Sequence, residues 1–252
     1  MYFCQMSQLE NGIRINKYLS EIGFCSRREA DRLIEQGRIR INGIVSLMGQ
    51  KVSGDEKIEV NGKLMTISKS KNIYLAFNKP RGIVCTTDQK REKNNIIDFI
   101  NYPSRVFPIG RLDKMSEGLI FLTNDGDIVN KILRAKNNHE KEYIVEVNKP
   151  ITDDFTKMMS NGVPVLDTVT NKCFVKKTGK KTFRIVLTQG LNRQIRRMCE
   201  YFGYKVTYLQ RIRIMNINLD IPVGEYRDFT AKELNQIHQS VKHSVKIFEG
   251  NK

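Results

Sequence analysis

The stretch Arg38-Ile-Arg-Ile-Asn-Gly-Ile-Val45 leaves the chain little choice of conformation, because apolar and polar residues alternate up to Asn42-Gly43. Asn-Gly accepts the positive φ angles of a tight hairpin turn, so the two flanking runs pair as short antiparallel strands. Ile58-Glu-Val-Asn-Gly62 repeats the device. Upstream, Ile15, Leu19 and Ile22 fall at i, i+4 and i+7 and stop at Gly23, which predicts one short helix. A second helix begins at the capping box Ser26-Arg-Arg-Glu29, buries Ala30, Leu33 and Ile34, and ends at Gly37. Its Arg28 and Arg32 share the exposed face. Residues 13–67 are thus expected to form two helices packed on small strands.

Ser68-Lys-Ser-Lys-Asn72 is a polar seam, and the pattern changes beyond it. Alternating or apolar runs predict strands over 73–77, 83–87, 119–123, 143–147, 183–187 and 206–209. Helices are expected over 127–133, 153–159 and 192–202, with a last one opened by the capping box Thr230-Ala-Lys-Glu233. Strands outnumber helices and connect through turns, so the fold class is α+β: a small N-terminal unit, then a mixed, mainly antiparallel sheet over 73–238, with 239–252 as a tail.

The chain has 43 Lys and Arg against 27 Asp and Glu, a net charge of +16 over 252 residues. That field favours a polyanionic partner. It does not fall mainly on the first region, where residues 13–63 carry ten basic and seven acidic side chains, only +3. No apolar run is long enough for a membrane span, and Met-Tyr-Phe-Cys-Gln lacks the layout of a signal peptide, so a cytoplasmic protein is expected. Cys4, Cys25, Cys85, Cys173 and Cys199 form no C-x-x-C pair, and none of the three histidines stands at ligand spacing beside them. Neither a metal site nor disulfides are expected, and the cysteines read as small buried hydrophobes.

Asp113 lies in the polar break Gly110-Arg-Leu-Asp113-Lys-Met-Ser-Glu-Gly118, between the apolar runs at 106–109 and 119–122. In isolation it reads as a turn aspartate bonded to its own backbone. A carboxylate on a rigidly framed break can also meet a substrate. In the helix expected at 192–202, Ile195, Met198, Cys199 and Phe202 form a core stripe, while Arg193, Arg196, Arg197 and Glu200 share another face. The arginines stand near the helix start, where they oppose the macrodipole, so an anionic partner explains them better than local stability does. One acid and one guanidinium outline a candidate active site.

The words Arg14-Ile-Asn-Lys-Tyr-Leu-Ser20, Cys25-Ser-Arg-Arg-Glu-Ala30 and Gly37-Arg-Ile-Arg-Ile-Asn-Gly43 together resemble the S4 domain, an αL-type RNA-binding fold. That resemblance implies RNA as the polyanion, met by Arg14, Lys17, Arg27, Arg28 and Arg32. Gly110-Arg-Leu-Asp113, the run 116–126, Glu140-Lys-Glu-Tyr143 and Gly190-Leu-Asn-Arg-Gln-Ile-Arg-Arg-Met198 resemble the RsuA family of pseudouridine synthases. The wording at 134–142 and 190–200 is most similar to its subgroup of large-subunit ribosomal RNA pseudouridine synthases of type F.

The resemblance implies Asp113 as the catalytic aspartate, Tyr143 as the aromatic stacked on the target uracil, and Arg196 as the aspartate's partner. It assigns Lys79 and Arg111 to pocket support or RNA phosphate, and the arginine face of the helix adds Arg193 and Arg197 as RNA-binding candidates. It further implies no metal and no cofactor, a monomer away from membranes, and a uridine of 23S ribosomal RNA in a stem-loop near the peptidyl-transferase centre, with a transfer RNA uridine as second target. An ionised Asp113 would attack either C1′ of the ribose or C6 of the base. Two other readings compete. A noncatalytic S4-domain RNA-binding or ribosome-assembly factor shares the basic surface but has no use for an acid beside an arginine helix. An RNA nuclease would need a carboxylate cluster for metals or a histidine pair, and neither is visible.

Overall fold

The structure, a computed structural model, describes residues 12–65 and 71–244. Cys4, most of the 68–72 seam and the end of the expected tail lie outside the described residues. The chain divides into two compact units, Met1–Asn72 and Ile73–Lys252.

In the first unit, helices Ile15–Glu21 and Arg27–Glu35 pack on a four-stranded antiparallel sheet of Ile44–Val45, Ile39–Ile41, Ile58–Val60 and Lys63–Leu64, in that order. Asn42 and Gly43 take φ angles of 51° and 81°, the left-handed pair the hairpin requires. Ser26 Oγ accepts the Glu29 N–H at 3.1 Å, but the Glu29 carboxylate turns to Arg32, so only half of the capping box forms. Ile15, Leu19, Ala30, Ile39 and Val52 are completely buried in a core made only of this unit's residues.

The second unit is built on one nine-stranded sheet. Its main path runs Phe174–Lys177, Thr182–Leu187, Lys141–Val147, Val206–Ile214, Glu117–Thr123, Tyr74–Lys79, Tyr226–Asp228. Every pairing on this path is antiparallel except that of Val206–Ile214 with Glu117–Thr123, where two antiparallel halves join in parallel. At the junction Gly118 takes φ 105°, and a Cβ there would lie 2.3 Å from the Arg211 carbonyl oxygen. Only glycine admits so close a backbone.

Both faces of the central strands are covered. Leu75, Phe77, Ile120 and Leu122 join the core under helices Asp153–Ser160 and Gln194–Tyr201, while Tyr74, Ala76, Leu119 and Phe121 pack with helices Gly126–Leu133 and Ala231–Ser240. This explains six consecutive buried residues in Tyr74–Lys79, where alternation should expose every second one.

Several expectations need correcting. Residues 83–87 form no strand: Val84 makes one isolated bridge to Asn95, too little to extend a ladder. The sequence pattern does not report several short elements, including strands Phe107–Ile109, Phe174–Lys177 and Tyr226–Asp228 and helix Ile96–Ile100. The tail does not begin at 239, because the last helix runs to Ser240 and Val241 is buried against it. No helix of the described residues is long and apolar enough to cross a membrane.

Candidate active site

The break between strands Phe107–Ile109 and Glu117–Thr123 closes on itself through the Ser116 N–H, which donates to the Asp113 carbonyl at 3.0 Å. This turn puts the Asp113 carboxylate on the wall of a cavity of about 750 Å³, within the roughly 300–1,000 Å³ typical of small-ligand sites. Arg196 Nε donates to Asp113 Oδ2 at 3.0 Å, Ser116 Oγ lies 3.5 Å from the same oxygen, and Arg193 Nη1 lies 3.8 Å away. Among the described residues no donor reaches Oδ1. One carboxylate oxygen is therefore held by the surrounding side chains and the other is not.

Arg196 corrects the reading of its helix. Its side chain is 10% exposed, not displayed on a working face. Beyond Asp113, the guanidinium donates to the Val206 carbonyl at 3.4 Å, the Met115 carbonyl at 3.3 Å and Ser116 Oγ at 3.0 Å. It thus ties the helix to the aspartate turn and to the strand after the helix. The helix starts at Gln194 rather than Asn192, because Arg193 sits before it as N-cap with a left-handed φ of 51°, a strained conformation for a residue with a Cβ. Arg193 stays exposed at the cavity mouth, as does Arg111. Arg197 folds back on Asn192, with Nε donating to its carbonyl at 3.1 Å.

Tyr143 lies on strand Lys141–Val147, mostly buried, and lines the same cavity. Asp113, Tyr143 and Arg196, well separated along the chain, thus converge on one space. Lys79 does not reach the surface: it is completely buried, and its ammonium donates to the Pro80 and Ser116 carbonyls at 2.7 and 2.8 Å. Burial lowers its pKa, against the opposing pull of Cys85, Asp113 and Glu117. It supports the turn rather than binding phosphate.

Ser116, Cys85, Lys141 and Arg211 are site residues that sequence reasoning passed over. Lys141 stands two residues before Tyr143, hence on the same strand face, and that spacing was a usable signal. Burial, then the nearby Arg211 charge, push its ammonium down to about 8. Cys85 is buried, accepts the Leu112 N–H at 3.4 Å and has its pKa raised by burial, as Cys199 is pushed up to about 12. Both remain protonated thiols. Arg111, Lys114, Lys141, Arg193, Arg196 and Arg211 line the cavity, with Asp113 as its only carboxylate among the described residues, a field suited to an anionic substrate. Among the described residues no His, Cys, Asp and Glu cluster could hold a metal ion.

In the first unit Arg14, Arg27, Arg28 and Arg32 are exposed, while Lys17 is partly buried and bridges to Glu21 at 3.3 Å. Arg27 and Arg28 meet no acceptor among the described residues, whereas Arg32 bridges to Glu29. Replacing both Arg27 and Arg28 with Ala is expected to weaken RNA binding and to lower the slope of log affinity against log salt by roughly 0.7–0.9 per lost phosphate contact. A salt titration checks this, and an unchanged slope would mean that the helix does not hold the RNA backbone.

An acid held by a buried arginine, in a basic cavity that a tyrosine also lines, is a site suited to an anionic substrate. Family comparison agrees. Residues 73–201 match the RNA pseudouridylate synthase family and residues 13–58 the S4 domain. The chain is 57% identical over 237 residues to the dual-specificity RNA pseudouridine synthase RluF of Salmonella typhi, covering 93% of this chain and 82% of that protein. It is 32% identical over 244 residues to the ribosomal large subunit pseudouridine synthase B of Bacillus subtilis, covering 93% and 99%. A crystal structure of a pseudouridylate synthase superposes with a TM-score of 0.66 at 27% identity, covering 89% of this chain and 99% of the other. The chain belongs to the RNA pseudouridylate synthase family, in its S4-bearing RsuA branch, and is an isomerase. The noncatalytic alternative is not supported.

Proposed function

We propose that this enzyme converts one uridine of 23S ribosomal RNA, and a transfer RNA uridine as second target, to pseudouridine, with Asp113 as nucleophile. The observation carrying the assignment is the geometry of Asp113, which lines the cavity with one oxygen fixed by Arg196 Nε at 3.0 Å and the other reached by no donor among the described residues. A relative named as dual-specificity, 57% identical, supports two RNA targets. Ribosomal RNA as substrate puts the enzyme in the cytoplasm, where it acts as a monomer.

The reaction detaches uracil at N1, turns it, and rejoins it to C1′ through C5, while the C5 proton is lost and N1 gains one. Asp113 begins it as a carboxylate at C1′ or C6, and the adjacent guanidinium favours that charged form. Tyr143 stacks on the base and keeps it in the cavity while it turns. The target must first leave its stack, which costs roughly a few kcal/mol and less in a loop. Contacts from residues 13–67 and from the rim cations Arg111 and Arg193 offset that cost, with Arg197 beside them.

Mapping pseudouridine in 23S ribosomal RNA and transfer RNA from cells with and without the gene tests the assignment. One 23S position and one transfer RNA position are expected to revert to uridine in its absence. Identical maps would overturn the substrate.

A further inference from the structure

The cavity holds a buried cation that the chemistry above leaves unused. Arg211 is 3% exposed, and its Cζ lies 6.0 Å from the centre of the Tyr143 ring. Two irregularities of the sheet put it there. Glu142 pairs with Arg213, but the next residue, Tyr143, pairs with Arg211, so Ile212 is bulged out of the ladder. An unbroken register would have set Ile212 beside the tyrosine, and bulges of this kind re-aim side chains at sites. On its other flank Arg211 bridges Gly118, whose missing side chain is what allows the approach.

The guanidinium is fixed but not satisfied. Nε donates to the Leu119 carbonyl at 2.6 Å, while Nη2 is buried with no acceptor among the described residues. A buried donor without an acceptor is costly and calls for an explanation. The cavity's carboxylate does not supply it: Asp113 pairs with Arg196 and Arg193, and Arg211 Nη2 does not reach it. Nor is Arg211, buried, placed for backbone phosphate, which suits the exposed Arg111 and Arg193 better. A base turned into the cavity would bring carbonyl oxygens to it.

We propose that Arg211 is a further catalytic residue, which hydrogen-bonds a carbonyl oxygen of the uracil lying against Tyr143 and stabilises the negative charge the base acquires during isomerisation. The proposal rests on the pseudouridine synthase reading of the cavity. If Asp113 takes C1′, the electron pair of the N1–C1′ bond departs with the uracil and spreads onto its carbonyl oxygens. If Asp113 adds to C6, the C5–C6 π electrons move toward the C4 carbonyl oxygen. Either way a carbonyl gains charge; as C5 bonds C1′ the pair is returned and the Asp113 carboxylate is released, displaced from C1′ on the first route or eliminated from C6 on the second, where the N1–C1′ bond breaks as well. A planar, permanently charged guanidinium suits this task better than a mobile ammonium, and its preorganisation spares reorganisation as charge develops.

The test uses the full chain and the RNA identified by mapping, transcribed with uridine, 2-thiouridine or 4-thiouridine, since sulfur accepts hydrogen bonds poorly. Arg211→Met is expected to lower kcat by about 100-fold with RNA affinity kept within about threefold, and Arg211→Lys to recover part of the loss. Wild type should be slowed roughly tenfold by sulfur at one of the two carbonyls, and Arg211→Met should be indifferent to it. A kcat within about threefold of wild type, or an equal sulfur penalty in both proteins, would overturn the proposal, the second by showing a merely structural role. Should Arg211→Met fail to fold, the sulfur penalty of Arg211→Lys decides, and a ratio identical to wild type overturns it. Wild type inert on the uridine transcript would instead overturn the reading of the cavity, and this proposal with it.

Discussion

Asp113→Asn is expected to reduce pseudouridine formation by about 10⁴-fold or more while the protein stays folded and bound to RNA. The amide keeps the shape of the side chain and an oxygen for the Arg196 Nε–H, now 3.0 Å from the carboxylate. What it loses is the anionic oxygen that attacks. Turning a charge-assisted bond into a neutral one should cost about 1–2 kcal/mol of stability. RNA affinity should stay within about threefold, because the rim cations and the first unit are untouched. Single-turnover measurements beside a binding titration separate the two quantities. Turnover near wild type would remove Asp113 from the chemistry.

Arg196→Ala is expected to damage both turnover and stability, which differs from what the helix pattern alone suggests. A solvent-facing arginine could be removed without harm to the fold. This one donates to Asp113, two backbone carbonyls and Ser116 Oγ, and its removal strands those acceptors next to a cavity with a partly buried carboxylate. Asp113 is 23% exposed, so water relieves part of the penalty, and about 2–4 kcal/mol is the expected loss. Thermal unfolding and kcat should fall together, with Arg196→Lys restoring stability more than rate, since an ammonium cannot serve four acceptors in the same plane. An unchanged melting temperature with a lost kcat would show that the arginine acts on the chemistry alone.

Local signals were legible where a residue's neighbours in sequence are also its neighbours in space. The hairpin at Asn42-Gly43, the caps at Ser26 and Thr230, and the stripe Ile195, Met198, Cys199 obey periodicities of one strand or helix, and all formed. Asp113, Tyr143 and Arg196 were legible for a different reason: their motifs resemble a family's, and no spacing along the chain says that they share a cavity. The strand expected at 83–87 failed because apolar composition does not specify a pairing partner. Of the two roles open to Lys79, pocket support or phosphate binding, only burial by a second layer could favour the first.

Charge, the two patterned regions and the hairpin turns were thus settled along the chain, since each depends on residue type and short-range geometry. Pairing in three dimensions decided the rest. The parallel junction at Gly118 and Arg211, the bulge at Ile212, the burial of Arg196 and the covering of both sheet faces all join segments far apart in sequence. No periodicity reports such contacts, because whether an arginine faces water or a carboxylate depends on what another strand brings within about 3 Å of it.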